Sequence, residues 1–417
     1  MRRHFVAGFA RALTITWLLV AEGSFASADD HGDAIRLTVE SMLAVQEPSG
    51  LEPYELNFLA ARGAETRTVT APNLTRQAFA ASVLADFYSR TGDRRLAPVL
   101  QRYLRALVRY SQPIGKSTAQ VLLEKTRLLS VPIGRYKLAR ALDYLGLSYQ
   151  TWGAGSVLVP HEGYGGAYVG ATALALLAEL RYAHTSGDLR FTDQRQAWLE
   201  GLLALRLPGD GFRVLPASLL TVPYGDGEAW LALAEYHHLY PENERVNAQL
   251  ISVDEALTRK YDSHFEVDFV AWGIMAASAR YADTQEKSFL EFIKRQTRRF
   301  LASQQAHLPS ENTCDAMEGL IDALSALRRA GEGDSVLAGE INQWLATEIP
   351  KAMGLQILRG QTVLTLPNGP RIVPGLPAFG GQFLARPLAA STRVDFTGHC
   401  LSALLKLSGP SGPSTAP

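Results

Sequence analysis

Along most of the chain, apolar residues recur at helical spacing, and each run ends in a polar or glycine-containing turn. From Asn73 to Tyr88, Phe79, Val83, Leu84 and Phe87 share one face, Asn73 offers an N-cap, and Thr91-Gly92-Asp93 breaks the run. Gly166 to His184 repeats this with Leu174, Leu177, Ala178 and Tyr182. Asp226 to Tyr240 carries Trp230, Leu233, Ala234 and His237 and stops at Pro241. Phe269 to Tyr281, Thr313 to Ala330 and Asp395 to Leu407 follow the same pattern. These six runs are rich in small residues, and polar or glycine residues crowd their N-terminal ends.

Between them lie runs of another kind: Arg95 to Tyr110, Asp193 to Leu205, Glu286 to Gln304 and Asp334 to Thr347. Each has a charged side and an apolar side, which suits a helix half in water, whereas small apolar residues all round suit a buried one. The chain therefore alternates inner and outer helices. Arg135 to Tyr149 reads as a further inner helix, so the spacing predicts six or seven hairpins. The period, roughly 40–55 residues, exceeds the tetratricopeptide and ankyrin units. Strand signals are scarce. The segment Gln361-Thr-Val-Leu-Thr-Leu, Pro367-Asn-Gly-Pro, Arg371-Ile-Val reads as a short β-hairpin within 361–373.

This alternation over residues 35–408 resembles the α/α toroids of six-hairpin glycosidases. The resemblance implies an all-α ring whose inner helices surround a funnel, with the site among the loops at one end. It includes no diagnostic motif. Arg393-Val-Asp-Phe-Thr-Gly-His399 is similar to the C-terminal Arg/Asp/His helix of glucuronyl C5-epimerases, which are also toroids.

The first residues read as a targeting segment. Arg2, Arg3 and Arg11 precede and enter an apolar run from Ala12 to Ala21, and Ala26-Ser27-Ala28 is a small-x-small cleavage pattern. That run is shorter than the roughly 20 residues a membrane span needs, and no later segment reads as a span. The expected organisation is a signal peptide over 1–28, a toroid over 29–408 and a disordered proline-rich tail over 409–417, with a periplasmic or secreted mature chain. The 417 residues hold 41 basic and 41 acidic side chains. Removing 1–28 takes away three arginines and one glutamate and leaves 38 against 40. Such a balance gives no reason to expect nucleic acid.

No Cys-x-x-Cys pair exists, and adjacent His237 and His238 would point about 100° apart on a helix, so no metal and no cofactor is expected. Cys314 starts one inner helix and Cys400 lies just over one turn into another, at similar heights. A disulfide and two separate buried thiols both fit that placement, since packed helices approach the roughly 7 Å a bridge requires only at a close crossing.

If the inner helices run one way, their N-terminal ends share a rim. The rim then gathers His161, Glu162, Tyr164 and Tyr168, followed by Tyr224, Asp226 and Glu228. His264, Glu266 and Asp268 come next, then Glu311, Asn312 and Asp315, then Arg386, Arg393, Asp395 and His399. Acids at helix starts also serve as caps and suit the positive end of the macrodipole, so position alone assigns no chemistry. Glycoside cleavage needs one carboxylic acid and one carboxylate, for which Asp226, Glu228, Glu162, Glu266 and Asp315 are candidates. Epimerisation or elimination of uronates needs instead a base such as His399 and cations such as Arg386 or Arg393 to hold the substrate acid. His161, Tyr164, Tyr168 and Tyr224 offer rings and hydroxyls that suit sugar binding.

Two function classes stay open. One is a carbohydrate enzyme acting on a polysaccharide or oligosaccharide. The other is a non-catalytic secreted toroid that binds glycan or assists envelope polysaccharide assembly. A terpenoid-cyclase-like toroid is disfavoured by the lack of an aspartate-rich motif.

Overall fold

The Asn73 cap predicted from sequence forms: its side chain accepts from the Arg76 amide at 3.3 Å, and the helix it opens ends at Gly92, in the left-handed region at φ 66°. The computed structural model describes residues 28–58, 73–113, 156–158, 168–214, 220–303 and 312–409. Its helices in chain order are α1 (Ala28–Val45), α2 (Leu74–Thr91), α3 (Leu96–Tyr110), α4 (Tyr168–Ser186), α5 (Thr192–Ala204) and α6 (Pro223–Leu239). There follow α7 (Glu244–Ser263), α8 (Val267–Thr284), α9 (Lys287–Leu301), α10 (Cys314–Arg329), α11 (Val336–Met353) and α12 (Val394–Leu407).

The even-numbered helices form a closed inner ring, α2 beside α4, then α6, α8, α10 and α12, which returns to α2. Each odd-numbered helix packs outside one of them, and α1 covers α12, so the two ends of the described chain build the last hairpin. Among the described residues the ring therefore has six hairpins. Closure removes the open ends that a solenoid must cap.

The composition explains the layers. Helix α8 buries Phe269, Val270, Trp272, Ile274, Met275, Ala276 and Ala277, residues spread around its circumference. Helix α3 buries Leu96, Val99, Leu100, Tyr103, Leu104 and Leu107 and turns Arg102, Arg105 and Arg109 to solvent. Close approach inside the ring depends on small residues. A Cβ added to Gly319 of α10 would stand 2.7 Å from the Ala271 Cα of α8.

Two outer helices, α1 and α7, go beyond the sequence expectation. Residues 135–149, the proposed extra inner helix, lie outside the described residues, as do the predicted signal segment through Ser27 and the tail beyond Gly409. The strands are short antiparallel pairs: β1 (Glu55–Asn57) with β6 (Ser391–Arg393), β2 (Ser111–Pro113) with β3 (Ser156–Leu158), and β4 (Val363–Leu366) with β5 (Gly369–Ile372). The last is the hairpin read from sequence, and Leu364 and Leu366 tie it to a small cluster with Val45, Leu56, Phe58 and Phe379.

Cys314 and Cys400 form a disulfide with Cα atoms 4.8 Å apart, linking α10 to α12. Along the ring axis, Phe79, Trp272 and His399 make a plug: the His399 ring lies 4.2 Å from that of Phe79 and 6.0 Å from that of Trp272. One cavity opens on each side of it.

Candidate functional site

The cavity at the N-terminal rim has a volume of about 330 Å³. Five inner helices supply its polar wall: Arg76 from α2, Tyr224 from α6, Asp268 from α8, Asp315 from α10, and Asp395 and His399 from α12, with Arg393 just ahead of α12. The shared rim inferred from sequence is thus present, because the inner helices run in one direction.

Asp395 sits deepest among the acids. The Arg76 Nε lies 3.3 Å from its Oδ2, and the Arg393 Nε donates to its Oδ1 at 3.0 Å. Burial pushes this carboxyl up, but the fields of Arg76 and Arg393, with the Arg393 hydrogen bond, hold it below the usual carboxylate range. The Tyr224 hydroxyl donates to Asp268 Oδ1 at 3.2 Å. Its pKa is raised, first by burial and then by the charges of Asp268 and Asp315, so both carboxylates stand within electrostatic reach of one phenol. Asp268 is exposed and Asp315 partly so, and both reach the cavity.

His399 is buried, and its Nδ1 lies 2.5 Å from Glu318 Oε1. Burial lowers the imidazole pKa, but Glu318 outweighs that through charge and hydrogen bond, and Asp315 adds to it, so the net direction is up. Glu228 lies behind the wall rather than on it. Its carboxyl is raised to about 7 by burial, against opposing pulls from Arg76 and His399. Gly170 of α4 leaves the space its Oε2 occupies.

Asp226 departs from expectation, because it does not face the funnel. It is fully buried and turned toward the outer layer, where Oδ1 accepts from the Phe212 amide at 2.7 Å. Oδ2 accepts from the Tyr261 hydroxyl at 2.7 Å and from the Lys260 ammonium at 2.9 Å. Arg386 is also elsewhere, exposed in a surface pocket beside the β4–β5 turn. His264 and Glu266 are exposed in the α7–α8 connection and do not line the cavity. Asn312 lines it, and its Oδ1 accepts from the Cys314 amide at 3.0 Å. His161, Glu162, Tyr164 and Glu311 lie outside the described residues, and Tyr168 opens α4 with its side chain outside them too.

Two residues of this constellation escaped the sequence reading. Arg76 occupies the first turn of α2 and was legible as the rim residue of the first inner helix. Glu318 falls one turn after Cys314, on the face that a helical projection assigns to α12.

No protein-family model matches the chain, and no curated protein matches it in sequence. Solved structures do share its fold. An inactive variant of an α-1,6-mannanase of family GH76 from Salegentibacter sp. HEL1_6, in complex with α-1,6-mannotetrose, superposes with a TM-score of 0.55 at 11% identity, covering 91% of this chain and 99% of that one. An unsaturated glucuronyl hydrolase specific for heparin gives 0.52 at 13% identity, over 91% and 96% of the two chains. A GH76 α-mannanase from Bacteroides thetaiotaomicron gives 0.53 at 10% identity, over 91% and 95%. The shared architecture is an α/α toroid of helical hairpins. None of these three is an epimerase, and the likeness of residues 393–399 to an epimerase helix gains no support from them.

Proposed function

We propose that the chain is an exported glycoside hydrolase acting on a neutral polysaccharide or oligosaccharide, with the rim cavity as its active site. The observation that carries this reading is the convergence of two solvent-reachable carboxylates, Asp268 and Asp315, with Tyr224 in one cavity on neighbouring inner helices. A carboxylate there can attack the anomeric carbon or activate water, and Tyr224 offers a ring face and a hydroxyl to a sugar.

Charge pairing argues for a neutral substrate. Among the described residues, each cation of the cavity already meets a carboxylate of this chain: Arg76 and Arg393 meet Asp395, and His399 meets Glu318. Arg76 and Arg393 share the one Asp395, but Asp268 and Asp315 add two carboxylates to the wall, so four described carboxylates stand against three described cations and a uronate would meet net repulsion. Elimination or epimerisation also needs a base, whereas Tyr224 is shifted away from ionisation and His399 toward its charged form. These features favour hydrolysis over the uronate chemistries.

The mannanase above lost activity when two sequence-adjacent aspartates were replaced. The only adjacent pair here, Asp29-Asp30, opens outer helix α1, so the carboxylates of this chain come from different positions. Export is supported by the basic, apolar and small-residue order of the first 28 residues and by the disulfide, which persists in oxidising compartments.

The test is chromatography of products from a panel of neutral oligosaccharides, α-1,6-mannotetrose included. Wild type is expected to shorten at least one, and Asp268→Asn and Asp315→Asn each to lose about 10²–10⁴-fold in rate. Binding without cleavage would favour the glycan-binding alternative, and an unsaturated product from acidic oligosaccharides would favour elimination. N-terminal sequencing of cell-purified protein is expected to start near Asp29; Met1 retained on cytoplasmic protein would overturn export.

A further inference from the structure

Helices α10 and α12 meet along a polar seam. On α10, Cys314, Glu318 and Asp322 stand at i, i+4 and i+8, and so on one face. Opposite them, Cys400 closes the disulfide, His399 Nδ1 and Ser402 Oγ meet the two Glu318 oxygens at 2.5 and 3.0 Å, and Lys406 Nζ meets Asp322 at 2.6 Å. The seam also spans the plug. His399 lines the rim cavity, whereas Glu318 and Ser402 line the cavity of about 340 Å³ on the other side.

The seam fixes the imidazole on several sides. Glu318 takes Nδ1, Phe79 packs 4.2 Å from the ring, and the disulfide pins the next residue along the chain. Nε2 makes no hydrogen bond with any described residue. With Nδ1 held by Glu318, the charged imidazole keeps an Nε2–H donor for a group in the cavity. Here one nitrogen is clamped by a carboxylate and the ring reaches the cavity that holds Asp268 and Asp315.

We propose, resting on the reading of this cavity as a glycosidase site, that His399 donates the proton to the departing glycosidic oxygen and that Glu318 is its positioning residue. The Nε2–H bond breaks as an O–H bond forms on the leaving oxygen, which keeps the electron pair of the C–O bond. The anomeric carbon takes the hydroxyl of a water, directly or after attack by a carboxylate. The second proton of that water passes through the carboxylate to solvent, and Nε2 is reprotonated from solvent. Glycoside and water become two sugars, with no change of oxidation state. The charged groups facing the imidazole are Glu318 and Asp315 from α10, Arg76 from α2, Glu228 from α6 and Asp395 from α12 itself.

Two substrates separate this role from a structural one. A natural oligosaccharide leaves as a poor alkoxide and needs the proton, whereas a nitrophenyl glycoside leaves as a stable phenolate and does not. For His399→Gln, kcat/KM on the oligosaccharide is expected to fall about 10²–10⁴-fold, and the loss on the aryl glycoside to be at least about tenfold smaller. For Glu318→Gln, the alkaline limb of the pH–rate profile is expected to move toward acid, together with the His399 titration followed by NMR. The NMR titration also distinguishes His399 from Glu228 as the origin of that limb. Equal losses on both substrates would overturn the proposal, as would an unmoved limb beside a shifted NMR titration. A wild-type protein that cleaves neither substrate would overturn the glycosidase reading itself, a result distinct from a selective failure of His399.

Discussion

Asp226→Asn should damage stability and spare catalysis, the reverse of what its place among the acids of the expected rim suggests. The carboxylate is fully buried, and a Cβ on Gly211 would collide with both its oxygens, so the loop is shaped around it. Asparagine keeps one acceptor oxygen, enough for the Phe212 amide. The other oxygen becomes an NH₂ that faces two donors, the Tyr261 hydroxyl and the Lys260 ammonium. Two hydrogen bonds to a charged group are lost, each worth about 1.5–3 kcal/mol. Lys260 offsets part of this, because it is partly exposed and keeps Asp210 at 2.6 Å. The expected net loss is about 2–4 kcal/mol, near the lower part of the range for breaking a buried ion pair. Urea unfolding should show a lower midpoint with an unchanged slope, and kcat of the folded variant should stay within about twofold. An unchanged midpoint with a hundredfold or greater drop in kcat would refute the argument and return Asp226 to the active site.

The disulfide spans 86 positions, so replacing both cysteines by serine should cost about 4–5 kcal/mol by the chain-entropy relation; two free thiols in denatured, unreduced protein would contradict the bridge. Stability should fall as pH rises from about 5 to about 8, because burial raises Asp254 to about 6, Glu179 and Glu228 to about 7 and Glu52 to about 8, while Glu318 raises His399 against burial. Each of these groups binds a proton more tightly when folded, so its contribution is complete below its unfolded pKa and is lost as pH rises through its folded pKa. Urea midpoints across that range check this, and a midpoint that rises toward alkaline pH would show the sign to be wrong.

The ring was legible because two demands on composition differ. Helices surrounded by other helices need small residues on every side, and helices facing water need one charged face. That contrast separated α8 from α9 by inspection. It failed for α7, although Val246, Leu250, Val253, Leu257 and Tyr261 are buried at helical spacing. Its charges are scattered among residues that read as a polar connection after Pro241. It failed for α1 because the helix follows the targeting-like segment directly, and its partner α12 is at the other end of the chain. A hairpin made from the two ends leaves no local turn to read. The disulfide was left open for a related reason, since the register between α10 and α12 depends on ring closure.

The site was legible only in part, and helix geometry shows where the information lay. Tyr224, Asp268, Asp315 and Asp395 are all the second residue of their inner helices, and all four line the cavity. The dipole argument applies to any acid in a first turn, and so treats Asp226, Asp268, Asp315 and Asp395 alike. The angle does not. Asp226 is two residues beyond Tyr224, about 200° around the helix, and therefore points outward to Lys260. His399 is four residues beyond Asp395, about 40° off the same face and one turn deeper, which brings it beneath the rim at the plug. Glu228 stands in the same relation to Tyr224 on α6 and is likewise buried one turn down. Residue type placed Asp226 among the candidate acids beside Asp315 and left out Asp268, whereas counting from each helix start groups Asp268 with Asp315 and sets Asp226 apart. That count requires helix starts known to within a residue, the part of a helix that sequence patterns define least well.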